Sequence, residues 1–318
     1  MAVSFDRRLA QSSAEKLKEK RLELSSLAVP PGRGWEPSAR AMAECLGQKP
    51  ATIGDVICAL QNVQSILDEL PPSPANNRVA AFNTLYLRIT RRVEEALRSG
   101  VNEPDFLEML DVEFAKRYLD ALDRWNQDDE DTPDVWEVLF KRARELRMSS
   151  LVAAMLGVNA HINHDLSLAL IAVWNDLGQP GDDAIHPDYL LVNKIFYEEI
   201  PPLRQSFSTD WQLAIDGFVG PLDDWSQRLL VTVTRARAWE QGLRLWQLRH
   251  DPDDFEQARL TMDRAASLVG EVLIVTDRLV NNTGSATRSS WHFVRQLITD
   301  RYDFSGCPPT ADRPVGEC

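Results

Sequence analysis

The chain has 318 residues, of which 44% are hydrophobic and 26% are charged. This composition excludes a disordered protein, and the length allows a large core that needs no disulfide or metal to hold it together. Because the formal net charge of -13 repels phosphate groups, we expect no nucleic-acid partner.

The N-terminal segment is expected to lie outside the core. It carries charges at Asp6, Arg7 and Arg8 and lacks the apolar stretch of a signal peptide. The spacing in residues 14–27 predicts a short charged helix, which ends at a run rich in proline and glycine. We therefore interpret residues 1–34 as an N-terminal arm.

From Thr52 onwards, apolar residues recur at spacings of three and four, which is the helical period. Period-two alternation is scarce, and no Asn-Gly or Asp-Gly turn lies between β-branched runs, so strands are not expected. The predicted helices cover residues 52–70, 78–98, 104–125, 134–147, 149–177, 187–199, 203–217, 222–249, 253–282 and 286–301. The sequence therefore predicts an all-α fold, either a multi-helix bundle or an orthogonal helical array.

The predicted organisation has three parts after the arm. Residues 35–205 form a helical core, and residues 206–302 form a helical C-terminal extension that packs on this core. Residues 303–318 contain several prolines and glycines and are interpreted as an irregular tail.

The composition also indicates the compartment. The longest uncharged stretch, from Met148 to Asn163, is too short and too polar to span a bilayer, so no membrane partner is expected. The four cysteines have no metal-ligand spacing, and scattered reduced thiols are typical of a cytoplasmic protein. These cysteines are Cys45, Cys58, Cys307 and Cys318.

One predicted helix lacks a charged face. On a helical wheel of residues 151–173, His161, His164 and Asp165 lie within about 100° of one another, opposite an apolar face. A helix of this kind must be covered on all sides, because a surface helix would present a charged face to water. Each buried polar group without a partner costs about 1–3 kcal/mol. The helix is therefore predicted to form the floor of a pocket.

Other polar residues are candidates for binding a ligand beside this helix. Asn159 and Asn163 are four residues apart, beside or within the apolar face, and would be polar anchors. Asp188 and Asn193 follow a loop rich in glycine and proline, and loops held by a rigid helix often carry site residues. Asp188 is equally well explained as a residue that starts a helix just after Pro187.

Three interpretations of the polar cluster remain open. In the first, His161, His164 and Asp165 bind a divalent metal. In the second, Asp165 orients His161 as a general base. In the third, the cluster is a buried hydrogen-bond network that only fixes helix packing. A metal would need further ligands from elsewhere in the chain, such as Asp188, His186 or Glu198.

Several segments resemble DUF5995, a bacterial family of unknown function. They are AMLGVNAHINHDLSLAL, AFNTLYLRIT, the helix with Phe114, Tyr118 and Leu122, Trp136, and DYLLVNKIF, which together span about residues 55–205. The family motif N-A-H-I-N-x-D-L matches Asn159, His161, Asn163 and Asp165. His164 occupies the variable position, which argues against a metal site with two histidines. The resemblance implies an all-helical soluble domain and assigns no activity.

The segment from Arg235 to Arg249 combines arginines with two tryptophans. Trp239 and Trp246 are seven residues apart, so they share one helical face. We interpret the segment as a packed amphipathic helix with a solvated arginine face. The tryptophans of the C-terminal helices could also enclose an apolar ligand or bury an interface with a partner.

The sequence leaves three functions open. The first is an enzyme of small-molecule or secondary metabolism with a buried His-Asp site and a small apolar substrate. The second is a non-catalytic protein that binds an apolar ligand or a partner. The third is a divergent enzyme similar to class I terpene cyclases, because acidic residues at 128–131 follow Trp125 and the pair Arg301–Tyr302 lies near the C-terminus. In such enzymes an aspartate cluster holds Mg²⁺, but the spacing differs here.

Overall fold

The computed structural model describes residues 38–69, 77–145, 148–178, 180, 185–206 and 224–283. The described residues form ten α-helices, interrupted at one place by a π-helical turn, and contain no strand. The helices are α1 (Ala39–Leu46), α2 (Ile53–Asp68), α3 (Arg78–Ser99), α4 (Pro104–Asn126), α5 (Asp134–Phe140), α6 (Ser150–Ala160), α7 (Leu166–Leu177), α8 (Pro187–Ser206), α9 (Asp224–Leu248) and α10 (Pro252–Thr283). The all-α prediction is therefore confirmed.

One long helix lies at the centre of the fold. It consists of α6, the π-helical turn His161–Asp165 and α7, and we call it the central helix. Helices α3, α5 and α10 pack against α6, whereas α4 and α9 pack against α7. The central helix is therefore covered on several sides, as the absence of a charged face predicted.

The ends of several helices follow from local sequence. Thr52 and Asp55 form a capping box at the start of α2, in which each side chain accepts a hydrogen bond from the backbone amide of the other. Ser149 accepts a hydrogen bond from the amide of Val152 at the start of the central helix. The central helix ends at Gly178, whose φ of 79° lies in the left-handed region that glycine tolerates.

Two predicted helix boundaries are wrong. The helix predicted over residues 134–147 ends at Phe140. Turns follow, in which the amides of Arg142 and Ala143 donate to carbonyls three residues earlier, and the carbonyl of Ala143 accepts the amide of Arg78 at the start of α3. The predicted break between residues 199 and 203 is absent, and α8 continues through Pro201 and Pro202. A proline inside a helix removes one hydrogen bond and bends the helix without necessarily ending it.

Two apolar clusters surround the central helix. The larger one joins α1–α6 with residues of α8 and α10, and the second joins α4, α7, α8 and α9 around Trp174, Tyr189 and Trp239. Helices α9 and α10, from the predicted C-terminal extension, thus contact the central helix directly. The predicted arm, the predicted tail, the helix predicted over residues 286–301 and residues 207–217 of the helix predicted from residue 203 lie outside the described residues. Within the described part of the chain, no helix is long and apolar enough to cross a membrane.

Candidate functional site

The hydrogen-bond pattern of the central helix changes at the polar cluster. From His161 to Asp165 the backbone is π-helical, and the amide of Leu166 donates to the carbonyl of His161, five residues earlier. An α-helix would instead pair residues four apart. Single π-helical turns inside α-helices are rare and occur frequently at functional sites. The turn contacts α4, α9 and α10, so side chains of these helices surround the cluster.

The Asp165 carboxylate holds the cluster together. Its Oδ2 is 2.9 Å from Nδ1 of His161 and accepts a 2.9 Å hydrogen bond from Nε1 of Trp136 on α5. Its Oδ1 is 2.8 Å from Nδ1 of His164. All three side chains of the π-helical turn are almost completely buried. The structure therefore brings together His161, His164 and Asp165, as the wheel predicted, and adds Trp136.

Aromatic rings enclose His161. The Phe114 ring is stacked on the imidazole, with ring centroids 3.4 Å apart and an interplanar angle of 12°. Tyr86 meets it edge-on, with centroids 4.5 Å apart, and the Trp136 ring lies at 5.9 Å. Phe114 is partly buried, whereas His161, Tyr86 and Trp136 are buried.

Burial and the shared carboxylate give the two histidines opposite protonation behaviour. Burial lowers the pKa of His161 below its ordinary value, although the hydrogen bond to Asp165 acts in the other direction. Burial would also lower the pKa of His164, but the hydrogen bond to Asp165 and the negative charges of Asp263 and Asp165 raise it. Burial would raise the pKa of Asp165, but the hydrogen bonds from His161 and His164 lower it.

These directions define one arrangement of protons at neutral pH. Asp165 is ionised, His164 is the histidine that binds a second proton more readily, and His161 is neutral. Because Nδ1 of His161 lies at the carboxylate, this nitrogen carries the proton and Nε2 carries the lone pair. Nε2 of His161 is buried and has no hydrogen-bond partner among the described residues. The same holds for Nε2 of His164.

The two asparagines have a different role in the structure. Nδ2 of Asn159 donates a 2.9 Å hydrogen bond to the carbonyl of Ala266 on α10, and Nδ2 of Asn163 donates to Oδ1 of Asn159. Gly270 lets α10 approach both α5 and α6 closely, because a Cβ at this position would lie 3.0 Å from Val138 on α5 and 3.4 Å from Leu156 on α6. The asparagine pair therefore bonds the central helix to α10.

Asp188 stabilises the loop before α4. Its carboxylate accepts hydrogen bonds from the backbone amides of Asn102 and Glu103 and from the Asn102 side chain, at 2.7–3.1 Å. Burial would raise its pKa, but these hydrogen bonds lower it. Asn193, one turn further along α8, is buried, and its Oδ1 has no partner among the described residues.

The additional metal ligands considered from the sequence are engaged elsewhere. Asp188 binds the loop before α4, His186 lies 3.3 Å from Glu103, and Glu198 forms a surface ion pair with Arg92. Within the described ranges, no group of three or more His, Cys, Asp or Glu side chains is arranged to hold a metal ion. The donor set around His161 is aromatic, whereas a metal needs nitrogen, oxygen or sulfur ligands.

The acidic loop after Trp125 lies on the surface. Arg124 forms ion pairs with two of its acidic residues, at 3.5 Å from Asp129 and 3.8 Å from Asp131. The pair Arg301–Tyr302, the other feature shared with terpene cyclases, lies outside the described residues.

Several residues at or near the site carry no signal that the sequence alone reveals. Trp136 and Phe114 match segments of the family resemblance but received no role, because an aromatic residue at helical spacing usually fills a core. Arg235, interpreted as part of a solvated arginine face, is buried instead. Asp111 and Asp263 are also buried, and no periodicity distinguishes them from surface acids of α4 and α10.

Comparison with known proteins agrees with the motif. A comparison with curated proteins gave no match, and neither did a comparison with solved structures. The sequence model for DUF5995, a family of unknown function, matches residues 53–276, more than half of the chain. The match therefore includes α9 and most of α10, and the extent of 55–205 expected from the motifs is too short. The chain belongs to the family of unknown function DUF5995.

Proposed function

We propose that this protein is an enzyme that removes a proton from a small, largely apolar molecule, with His161 as the general base. Asp165 orients His161 and fixes its tautomer. One observation carries the proposal: Nδ1 of His161 lies at the Asp165 carboxylate, while Nε2 is buried without a partner among the described residues.

The protonation state suits this role. A general base must be unprotonated at the working pH, and burial lowers the pKa of His161. The carboxylate of Asp165 favours the imidazolium that forms when His161 takes up the proton. His164, whose pKa is raised, lies with Nδ1 at the other carboxylate oxygen, and this hydrogen bond helps to keep Asp165 ionised.

The surroundings of His161 indicate the substrate class. Aromatic side chains from α3, α4 and α5 line the imidazole, and such a lining favours an apolar or aromatic molecule. The partly exposed Phe114 covers the imidazole face, so a rotation of this ring would admit a substrate. The same lining disfavours the metal interpretation, since it offers no further ligand near Nε2.

Chemical modification tests whether a small molecule reaches Nε2. Diethyl pyrocarbonate acylates the unprotonated nitrogen of an imidazole, and peptide mass spectrometry distinguishes the five histidines of the chain. We expect His161 to react in the folded protein. Because its pKa is lowered, the reaction should persist at pH values where free N-acetylhistidine, with a pKa of about 6.5, becomes protonated. A His161 that reacts only after unfolding would contradict the proposal.

Turnover is tested by incubating the protein with a small-molecule extract of bacterial cells, followed by mass spectrometry of the mixture. His161→Asn is the informative variant, because its amide can still donate to Asp165 while the Nε2 position is lost. His250→Asn, at an exposed position, controls for the loss of a histidine. We expect compounds consumed by the wild type and by His250→Asn to persist with His161→Asn. If His161→Asn lowers only the melting temperature, the cluster is structural.

A further inference from the structure

Arg235 is a buried cation in the interface between α8 and α9. Its side chain is part of the core, with 3% of the residue exposed. The guanidinium lies 4.3 Å above the ring centroid of Tyr189, and Nη2 donates a 3.1 Å hydrogen bond to the Tyr189 carbonyl. The Tyr189 hydroxyl donates in turn to the carbonyl of Arg235 at 2.6 Å. The arginine is therefore held in a fixed position.

The charge of Arg235 has no counter-ion among the described residues. A neutral carbonyl and an aromatic ring are its contacts, and Nε is buried without a hydrogen-bond partner. Arg142, with 2% exposure, shows the usual arrangement: its Nη2 lies 2.9 Å from the Glu271 carboxylate. A buried ion without a counter-ion is strongly unfavourable, so the position of Arg235 calls for an anion.

Further unpaired polar atoms lie one helical turn from this arginine and its tyrosine. Trp239 follows Arg235 by four residues, its ring centroid is 5.0 Å from that of Tyr189, and its buried Nε1 has no partner among the described residues. Asn193 follows Tyr189 by four residues, and its buried Oδ1 is likewise unpaired in the described part of the chain. Nε of Arg235 and Nε1 of Trp239 are therefore two buried, unpaired N–H donors that suit a bound anion, whereas Oδ1 of Asn193 is an acceptor and suits a donor group of the ligand.

The helix that carries this arginine also contacts the turn that carries the proposed general base. Helix α9 contacts the π-helical turn, and its carbonyl at Ala238 accepts a hydrogen bond from Ser167 of the central helix. Trp239 belongs to the same apolar cluster as Ile162, and Phe114, the ring stacked on His161, packs against that cluster. The positive charge of Arg235 also contributes to the lowered pKa of His161.

We propose that Arg235 and Trp239 bind the carboxylate of the molecule on which His161 acts, so that the substrate is a small apolar carboxylic acid. This inference rests on the proposed function of His161. A singly charged carboxylate matches the single charge of Arg235 and the planar fork of its N–H groups. A phosphate group would bring a second negative charge into the core.

Binding of simple carboxylates tests the inference. The probes are phenylacetate and octanoate, with neutral phenylacetamide and inorganic phosphate for comparison, and the readout is the melting temperature of the full chain. Either carboxylate, at about ten times its dissociation constant, should raise the melting temperature by about 3 °C. Phenylacetamide and phosphate should leave it unchanged. The absence of a shift with both carboxylates, or an equal shift with phenylacetamide, would overturn the inference.

Variants locate the binding site. Arg235→Met should abolish the carboxylate shift, and Arg235→Lys, which keeps the charge without the fork, should reduce it. The matched control is Arg249→Met, because Arg249 also stacks on a ring, that of Trp246, and donates to a backbone carbonyl, but is half-exposed. Arg249→Met should keep the full shift, and an unchanged shift in both Arg235 variants would place the anion elsewhere and refute the proposal.

The variants also separate this inference from the proposed function. His161→Asn should keep the carboxylate shift, because it leaves Arg235 and Trp239 intact. A carboxylate shift that depends on Arg235, together with a His161 that never reacts with diethyl pyrocarbonate, would overturn the general base and leave a carboxylate-binding protein. A reactive His161 without any carboxylate shift would overturn the anion site alone.

Discussion

Replacement of Asp111 by asparagine should stabilise the protein, and by more at higher pH. Asp111 lies on the buried side of α4, and its Oδ2 has no hydrogen-bond partner among the described residues. Burial, with a smaller contribution from the negative charge of Glu108, raises its pKa from 3.8 to about 8. The folded protein therefore keeps this carboxyl protonated at pH 7, whereas the unfolded chain ionises it.

The sign and size of the effect follow from linkage between protonation and folding. Between about pH 4 and pH 8 the folded state binds this proton and the unfolded state does not. The free energy of unfolding therefore falls by about 1.4 kcal/mol for each pH unit in this window. Asparagine has no proton to lose, so Asp111→Asn avoids the penalty. From pH 6 to pH 7.5 the advantage of the variant should grow by about 2 kcal/mol.

Urea denaturation followed by tryptophan fluorescence measures this difference. The urea denaturation curves of both proteins are recorded at pH 6 and at pH 7.5. The variant is compared with the wild type at each pH, so that the contributions of other titrating groups to the free energy of unfolding cancel. Glu113→Gln removes a carboxylate from an ion pair with Lys116 on the same helix and serves as the control for loss of one charge. Parallel pH profiles of the wild type and Asp111→Asn would refute the burial argument.

Two further substitutions test the packing and the role of Asp188. Gly157→Ala places a Cβ 2.2 Å from the Phe82 ring and should cost about 1–3 kcal/mol of unfolding free energy in urea, whereas Gly54→Ala, whose Cβ meets only a side chain at 3.6 Å, should cost nothing. Asp188→Ala leaves two backbone amides without their acceptor and should lower the unfolding free energy by about 1–3 kcal/mol. It should leave the reactivity of His161 with diethyl pyrocarbonate unchanged; a lost reactivity would show that Asp188 belongs to the site.

Much of the fold could be predicted from the spacing of apolar residues. The central helix was predicted over residues 149–177 and spans Ser150–Leu177. The prediction failed where tertiary contacts determine the backbone, as after Phe140, because no local pattern shows that Ala143 will bond to the start of α3. It also failed in α8, where the helix continues through two prolines that usually end one.

The sequence predicted which helix carries the candidate site, but it did not predict the backbone geometry of the site or the residue that another helix contributes. A wheel places His161 and Asp165 on one face, and the structure confirms the contact between them. The π-helical turn leaves no trace in the periodicity, since one turn shifts the pattern too little to detect. Trp136, the third group on the carboxylate, comes from another helix, and only the packing of α5 against the central helix brings it there.

Arg235 shows why charge patterns mislead in the interior. Arginines in an amphipathic helix usually lie on the solvated face, and the sequence from Arg235 to Arg249 fits that pattern. Burial of Arg235 depends on the ring and the carbonyl that Tyr189 supplies from α8. A cation in such a position is recognisable only after the neighbouring helix is in place.

The asparagines and the histidines of the central helix differ in how completely they are hydrogen-bonded, and this difference favours a functional role for the histidines over a purely structural one. Asn159 and Asn163 form a relay that ends on the carbonyl of Ala266, and their polar atoms are used to join two helices. A network that served only packing would complete its hydrogen bonds in this way, because an unpaired buried polar atom costs stability. His161 and His164 instead turn Nδ1 to Asp165 and leave Nε2 buried and unpaired among the described residues. The same helix thus pairs the side-chain amides of Asn159 and Asn163 with each other and with α10, and leaves one nitrogen of each imidazole unpaired among the described residues, which is the arrangement that the proposed general base needs.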